Sequence, residues 1–310
     1  MRERAEEIVA VARSSGRVEW LTLGLVAACH GAWVLGTLGW GMAPVPATVL
    51  LAVVVAFFAS LQHEVMHGHP TGRRPLDEAL VWPAYSLVVP YERYRDTHLA
   101  HHRDAALTDP YDDPESNYLD PSVWAALPGC ARAVLRLNNT LAGRLLLGPL
   151  IGQVRFVAGD LRAIRAGDRD VAAAWVRHLP PLAATLAWVA WAPVPLWAYG
   201  VAVYGGLSLL RIRSFLEHQA HDRASARTAI VEDRGPLALL FLNNNLHVVH
   251  HMHPGVPWYA LPALYRARRE HYLRRNGGYR LSGYGEVFRR HLWRAKDPVP
   301  HPLMDDAGRP

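Results

Sequence analysis

Three runs of histidine offer chemistry: His63-Glu-Val-Met-His67, His98-Leu-Ala-His101-His102 and His247-Val-Val-His250-His251. On a helix, residues three and four apart share one face. Each run therefore directs its imidazoles one way. Neutral imidazole is a good ligand for iron and zinc. Eight such groups exceed what one tetrahedral ion takes, so two metals are implied. Each run also lies near the end of a long apolar stretch, which puts a metal centre beside a bilayer.

The elements that must position these residues follow from the charge pattern. No Asp, Glu, Lys or Arg occurs from Trp20 to Gln62, and none from Leu179 to Leu210. About 20 apolar residues span a bilayer, and soluble domains rarely leave such lengths uncharged. Ala43-Pro-Val-Pro46 divides the first stretch and Ala192-Pro-Val-Pro195 the second. Proline there removes donors and ends a helix. Transmembrane helices are expected at about 20–40, 46–67, 171–191 and 196–220. The first run is too long for a secretory signal, with no small-residue cleavage site. Both proline turns are uncharged, whereas Arg2, Arg4, Arg13, Arg17, Arg211 and Arg213 lie at the opposite ends. The positive-inside rule then places both termini and all three histidine runs in the cytoplasm.

The remaining chain forms a cytoplasmic cap, about 68–170 and 221–300. Thr108 to Tyr118 is acidic and broken by proline, and reads as a loop. Leu135 to Gln153 mixes apolar residues with Arg136 and Arg144, and reads as an interfacial or re-entrant segment. The tail ending in Asp305 to Pro310 reads as frayed. The expected fold is an all-α membrane protein: four transmembrane helices in two hairpins with a helical cap holding the histidines, one domain over 1–310.

Composition narrows the partners. The chain has 310 residues, 51% of them hydrophobic, and a net charge of +6. Its arginines flank apolar spans, so lipid headgroups explain them better than nucleic acid. Lys296 is the only lysine; this bias indicates a GC-rich, bacterial genome and hence an inner membrane. Cys29 and Cys130 have no metal-type spacing.

The order His-X3-His, His-X2-His-His, His-X2-His-His around two hydrophobic hairpins resembles the membrane fatty acid desaturase family, over roughly residues 20–290. Membrane alkane hydroxylases and carotenoid ketolases have similar boxes. The resemblance implies a non-haem di-iron centre that activates O2 to oxidise a lipid or hydrocarbon chain. It implies electrons from a separate donor of ferredoxin, rubredoxin or cytochrome b5 type with its reductase. It also implies a ninth histidine before the third box. Arg213-Ser-Phe-Leu-Glu-His218 is similar to that segment, so His218 is the candidate, with His221 the competitor. The metal ligands expected are His63, His67, His98, His101, His102, His218, His247, His250 and His251. Glu64, Asp96, Asp104, Glu217 and Asn243 to Asn245 are near enough in sequence to orient the rings.

The first functional reading is a fatty acyl desaturase. A membrane hydroxylase or monooxygenase, or a carotenoid ketolase-like enzyme, is the alternative on the same centre. Two other classes stand beside them. A metal transporter or sensor would place its ligands within the spans, whereas these boxes lie outside them. A zinc hydrolase would need the spacing His-Glu-X-X-His, which His63-Glu64 lacks. His30, alone in the first helix, reads as a packing residue, and His69, His178, His253 and His271 are set aside.

Overall fold

The computed structural model describes residues 18–102 and 106–304. The arginines at 2, 4, 13 and 17, Asp104 and the tail from Asp305 lie outside the described residues. The described chain is mostly helical and divides into two compact units. Among the described residues, one consists of 18–96 and 149–210; the other consists of 97–102, 106–148 and 211–304.

In the first unit, α1 (Trp20–Leu38) turns through Gly39–Gly41 into α2 (Pro44–Met66). Pro44 sits in the first turn of α2, where its missing N–H costs nothing. The two helices approach closely at Gly36, where a Cβ would stand 2.9 Å from Leu51. A short helix α3 (Arg74–Leu80) and α4 (Tyr91–His101) follow. Then come α7 (Leu141–Arg165), α8 (Arg169–Trp191) and α9 (Leu196–Ser214), after α5 (Pro121–Ala126) and α6 (Gly129–Asn138) of the other unit. Gly206 of α9 packs on α2; a Cβ there would meet Val55 at 2.7 Å. Small residues of this kind let helices meet where apolar burial against lipid gives no drive.

Several buried polar groups in this unit are satisfied internally, as a lipid setting favours. Trp33 Nε1 donates to the Tyr199 hydroxyl at 3.0 Å, which donates to the Tyr85 carbonyl at 2.8 Å. His30 reaches the Tyr85 hydroxyl at 2.7 Å and the Leu80 carbonyl at 2.9 Å, so it is a packing residue. Arg93 forks onto Asp160 at 3.0 and 2.8 Å.

Three helices are long and apolar enough to cross a membrane: Trp20–Gly41, Pro44–Met66 and Leu141–Arg165. The third overlaps the segment expected at 135–153 to be interfacial or re-entrant. The chain breaks after Asn138 and α7 then runs for 25 residues through Pro149. Arg144 lies near the start of this helix. Its guanidinium is buried, donating to the Asn138 carbonyl at 2.9 Å and to Asn117, so it puts no charge on the helix surface. The expected helices at 171–191 and 196–220 are α8 and α9, broken at 192–195. The second ends at Ser214 rather than 220, because Glu217 and His218 leave the helix to pair with Ala229 and Thr228.

The second unit is built from short helices on a small core. They are α10 (Pro236–Leu240), α11 (His247–Met252), α12 (Leu261–Ala267), α13 (Arg269–Arg275) and α14 (Tyr284–His291). Its buried cluster includes Ile230, Val248, Val249, Leu261, Leu264 and Tyr272. Burying each such side chain is worth about 1.5–3 kcal/mol. Two strands, β1 (Ile230–Val231) and β2 (Arg280–Leu281), pair in parallel. This ribbon corrects the purely helical expectation. Two residues per strand carry no readable alternation.

A candidate metal centre built from two histidine groups

Seven histidines of the second unit converge in two groups. His98, His101 and His102 occupy the end of α4, and His247, His250 and His251 lie on α11. The helical spacing does what it must: His98 and His102 Nε2 come within 3.0 Å, and His251 and His247 Nε2 within 3.2 Å. His250 Nε2 stands 3.1 Å from His102 Nε2. His218 Nε2 lies 2.9 Å from His101 Nε2 and 3.1 Å from His247 Nε2. One group is thus His98, His102 and His250, and the other His101, His218, His247 and His251. Within each, the ligating nitrogens lie within 4.8 Å of one another. His221 instead accepts from the Arg223 amide through Nδ1.

His63 and His67 belong to the other unit, on the last turn and C-cap of α2. Their ring centroids are 5.0 Å apart, and His63 is buried. Glu64 Oε1 stands 4.0 Å from His63 Nδ1.

Ring orientation comes largely from residues the sequence reading missed. His101 Nδ1 bonds Asp113 at 2.7 Å, and His98 Nδ1 bonds Glu115 at 2.9 Å. Both carboxylates sit in the acidic loop, 12 and 17 residues from their partners. Asp113 is itself fixed by the amides of Thr108 and Glu115. Thr108 holds a left-handed backbone, φ 74°, an uncommon state for a branched residue. The only signal was the acid content of that loop. Of the candidates named, Asn244 holds His247 Nδ1 at 2.9 Å. Glu217 Oε1 is 3.6 Å from the same nitrogen and 2.7 Å from Arg213. Asp96 pairs with Arg95 instead. Asn243 and Asn245 bond the carbonyls of Trp258 and Val231. Leu242 and Asn243 both adopt positive φ, 48° and 56°, and turn the chain into α11. Asn tolerates this; Leu costs about 1–2 kcal/mol.

The donor chemistry fits metal ions. With Nδ1 donating to a carboxylate or amide oxygen, His98, His101 and His247 turn bare Nε2 lone pairs inward. Lone pairs facing at about 3 Å repel unless a cation lies between. Two nitrogens each about 2.1 Å from one metal, at a right angle, stand about 3 Å apart. The electrostatics agree. Burial alone would lower the His101 pKa, but the Glu115 charge and the Asp113 bond outweigh it and hold it at about 9. Burial likewise opposes ionisation of Glu115, yet the His101 and His98 charges keep its carboxyl well below the usual range. Burial and the neighbouring charges of His101 and His251 push His218 well down. His247 is pushed well down too, by burial and then by His251 and His218. The carboxylates of the pocket therefore favour cations, while burial keeps the His218 and His247 rings neutral, as ligands must be.

Residues 38–283 match the family model described as fatty acid desaturase. This region contains all three boxes and His218. The chain is also similar to a beta-carotene ketolase of Paracoccus sp. (strain N81106 / MBIC 01143), 28% identical over 213 residues, covering 66% of this chain and 71% of that protein. The chain belongs to the fatty acid desaturase family. It is an oxidoreductase of lipid or hydrocarbon substrates, and its histidine groups form a metal site.

Proposed function

We propose that the chain is an O2-dependent non-haem di-iron oxidoreductase that removes hydrogen from a long apolar substrate, with fatty acyl desaturation as the first reading. His63, His67, His98, His102 and His250 would hold one iron. His101, His218, His247 and His251 would hold the other. The observation that carries this reading is the pair of nitrogen groups, with rings braced by Asp113, Glu115 and Asn244, in a chain of this family. Family membership and the shared face of His63 and His67 support adding that pair to the first group. Bound iron would supply reduction of O2 to an oxidant strong enough for an unactivated C–H bond.

The residues themselves have defined work. Asp113 and Glu115 keep Nδ1 of His101 and His98 protonated and so keep Nε2 available. Arg213 neutralises Glu217 beside His247. Desaturation takes two hydrogens from adjacent carbons; O2 accepts two electrons with them, two from the donor and two protons from the medium, and leaves as two waters. The ketolase relative favours a second reading. In it, one CH2 becomes a carbonyl, using two O2, four donor electrons and four protons from the medium and releasing three waters.

The reading includes four membrane spans in two hairpins and one domain over 1–310. The chain would lie in a bacterial inner membrane, with both termini and the metals on the cytoplasmic side. Exposed Leu179, Trp191, Trp197 and Val201 support α8 and α9 as the second hairpin, beside the first formed by α1 and α2. The Arg177–Glu92 pair at 2.5 Å supports them too, since it tempers the charge on α8. A separate ferredoxin, rubredoxin or cytochrome b5 type donor with its reductase would dock on the arginine-rich face. Mass spectrometry of lipids and carotenoids from a host expressing the chain with a donor, under labelled O2, tests this. A product lighter by two hydrogens supports desaturation, and one carrying labelled oxygen supports the second reading. No oxidised product with several donors and both substrate classes contradicts both.

A further inference from the structure

The single lysine of the chain, Lys296, is part-buried beside the His218 segment. Its side chain is 13% exposed. Nζ donates to the carbonyl oxygen of His218 and stands 3.1 Å from Asp297 Oδ2. The same oxygen accepts from the Tyr118 hydroxyl at 2.5 Å. That hydroxyl in turn accepts from the Ala220 amide at 2.9 Å. Lys296 and Tyr118 therefore grip the chain on either side of Gln219, and Asp297 ties the two grips together. Tyr279 adds a third hold, donating to the Leu216 carbonyl at 2.7 Å, with its ring centroid 5.9 Å from Nζ.

The need for this clamp follows from where His218 sits. The other six rings of the two groups lie on or at the end of a helix, whose hydrogen-bond ladder fixes their backbone. His218 lies beyond α9 on a segment joined to Thr228 by an isolated bridge. Its carbonyl has no ladder partner, and a lysine supplies the donor. A compact ammonium with three donors can serve the carbonyl and the carboxylate together. Burial lowers the Lys296 pKa, and Asp297 opposes that. The strap that carries Lys296 is itself anchored. Leu119 N donates to the Val299 carbonyl at 3.0 Å, and His301 N to the Leu119 carbonyl at 2.8 Å.

We propose that Lys296, with Asp297 and Tyr118, is a positioning residue that sets His218 as a metal ligand. The C-terminal strap thereby controls the group formed by His101, His218, His247 and His251. This rests on the two-metal reading above. Orienting partners of this kind change metal affinity about 10- to 100-fold, and the effect should fall on one metal of two.

The test is iron per chain in the full-length protein after dialysis against a graded chelator, with far-UV circular dichroism on the same samples. The variants are Lys296→Arg, Lys296→Met, and Lys296→Met with Asp297→Asn, which leaves no unpaired buried charge. Wild type and His218→Ala run alongside. Both Lys296→Met variants should keep wild-type helicity and one tightly held iron, and lose the other at about 10- to 100-fold less chelator. They should thus match His218→Ala, and Lys296→Arg should recover most of the second iron. Retention of both irons at wild-type chelator resistance would overturn the clamp. So would loss of both together, with or without loss of helicity in the double variant. A wild type without two irons would instead sink the metal assignment on which the clamp rests, whatever the lysine variants do.

Discussion

The two histidine groups of the second unit are held by different physics. His98, His102 and His250 are fixed by helical spacing on α4 and α11, with one carboxylate, Glu115, whose side chain is 29% exposed. His101, His218, His247 and His251 combine two helices with a non-helical segment. Their brace, Asp113, is 2% exposed and fully engaged by amides. The first group inherits its geometry from local chain periodicity. The second depends on long-range contacts made by a loop, a strap and an asparagine turn. The same ligand type can therefore carry very different sensitivity to distant substitution.

His101→Ala should break this contrast most severely. It removes a ligand, and with it activity and the iron of the second group. The protein should still insert in membranes, because α1 and α2 carry insertion through their own apolar length. Membrane fractionation with metal analysis reads both, and full activity in that variant contradicts the ligand assignment. Asp113→Asn should come next. It keeps the shape but weakens the bond to His101 Nδ1, and metal affinity should fall about 10- to 100-fold. Glu115→Gln should cost less, at the low end of that range, because water already shares that carboxylate. Competitive chelator titration ranks the two, and an equal or reversed order would erase the distinction between the groups.

The smallest effect concerns the second unit away from the histidine groups. Glu232 accepts from Tyr265, Arg269 and Arg280 at 2.5–2.6 Å. Burial would raise its pKa, but these bonds bring it down to about 2. A carboxyl depressed in the folded state stabilises above its unfolded pKa, about 4.3. That stability is lost as pH falls toward 2. Glu232→Gln should cost about 1 kcal/mol near neutrality, because the arginines are half-exposed and screened. The difference from wild type should vanish between pH 4.5 and 2. Thermal midpoints across that range measure it, and a constant difference would show that Glu232 acts through packing alone.

What the sequence made legible follows the same division. The three boxes, both proline breaks and the apolar helices rest on local pattern, and the helices found follow them closely. Asn244 was within reach because it lies three residues from His247. His218 came forward only through family resemblance, since a single histidine after a helix has no period to reveal it. Asp113 and Glu115 stayed hidden because chain folding, not spacing, brings the acidic loop to α4. The burial of Arg144 was equally hidden, because its partners Asn138 and Asn117 are brought to it by the fold. The β1–β2 ribbon is too short to leave any pattern.

The central claim is that two histidine groups hold two irons. Metal analysis with Mössbauer spectroscopy on the purified full-length protein tests it most directly. Two irons per chain, each in a nitrogen-rich environment, is the predicted result. A single tightly bound zinc, or metal that exchanges freely with the buffer, would contradict it and return the chain to hydrolase or transport chemistry.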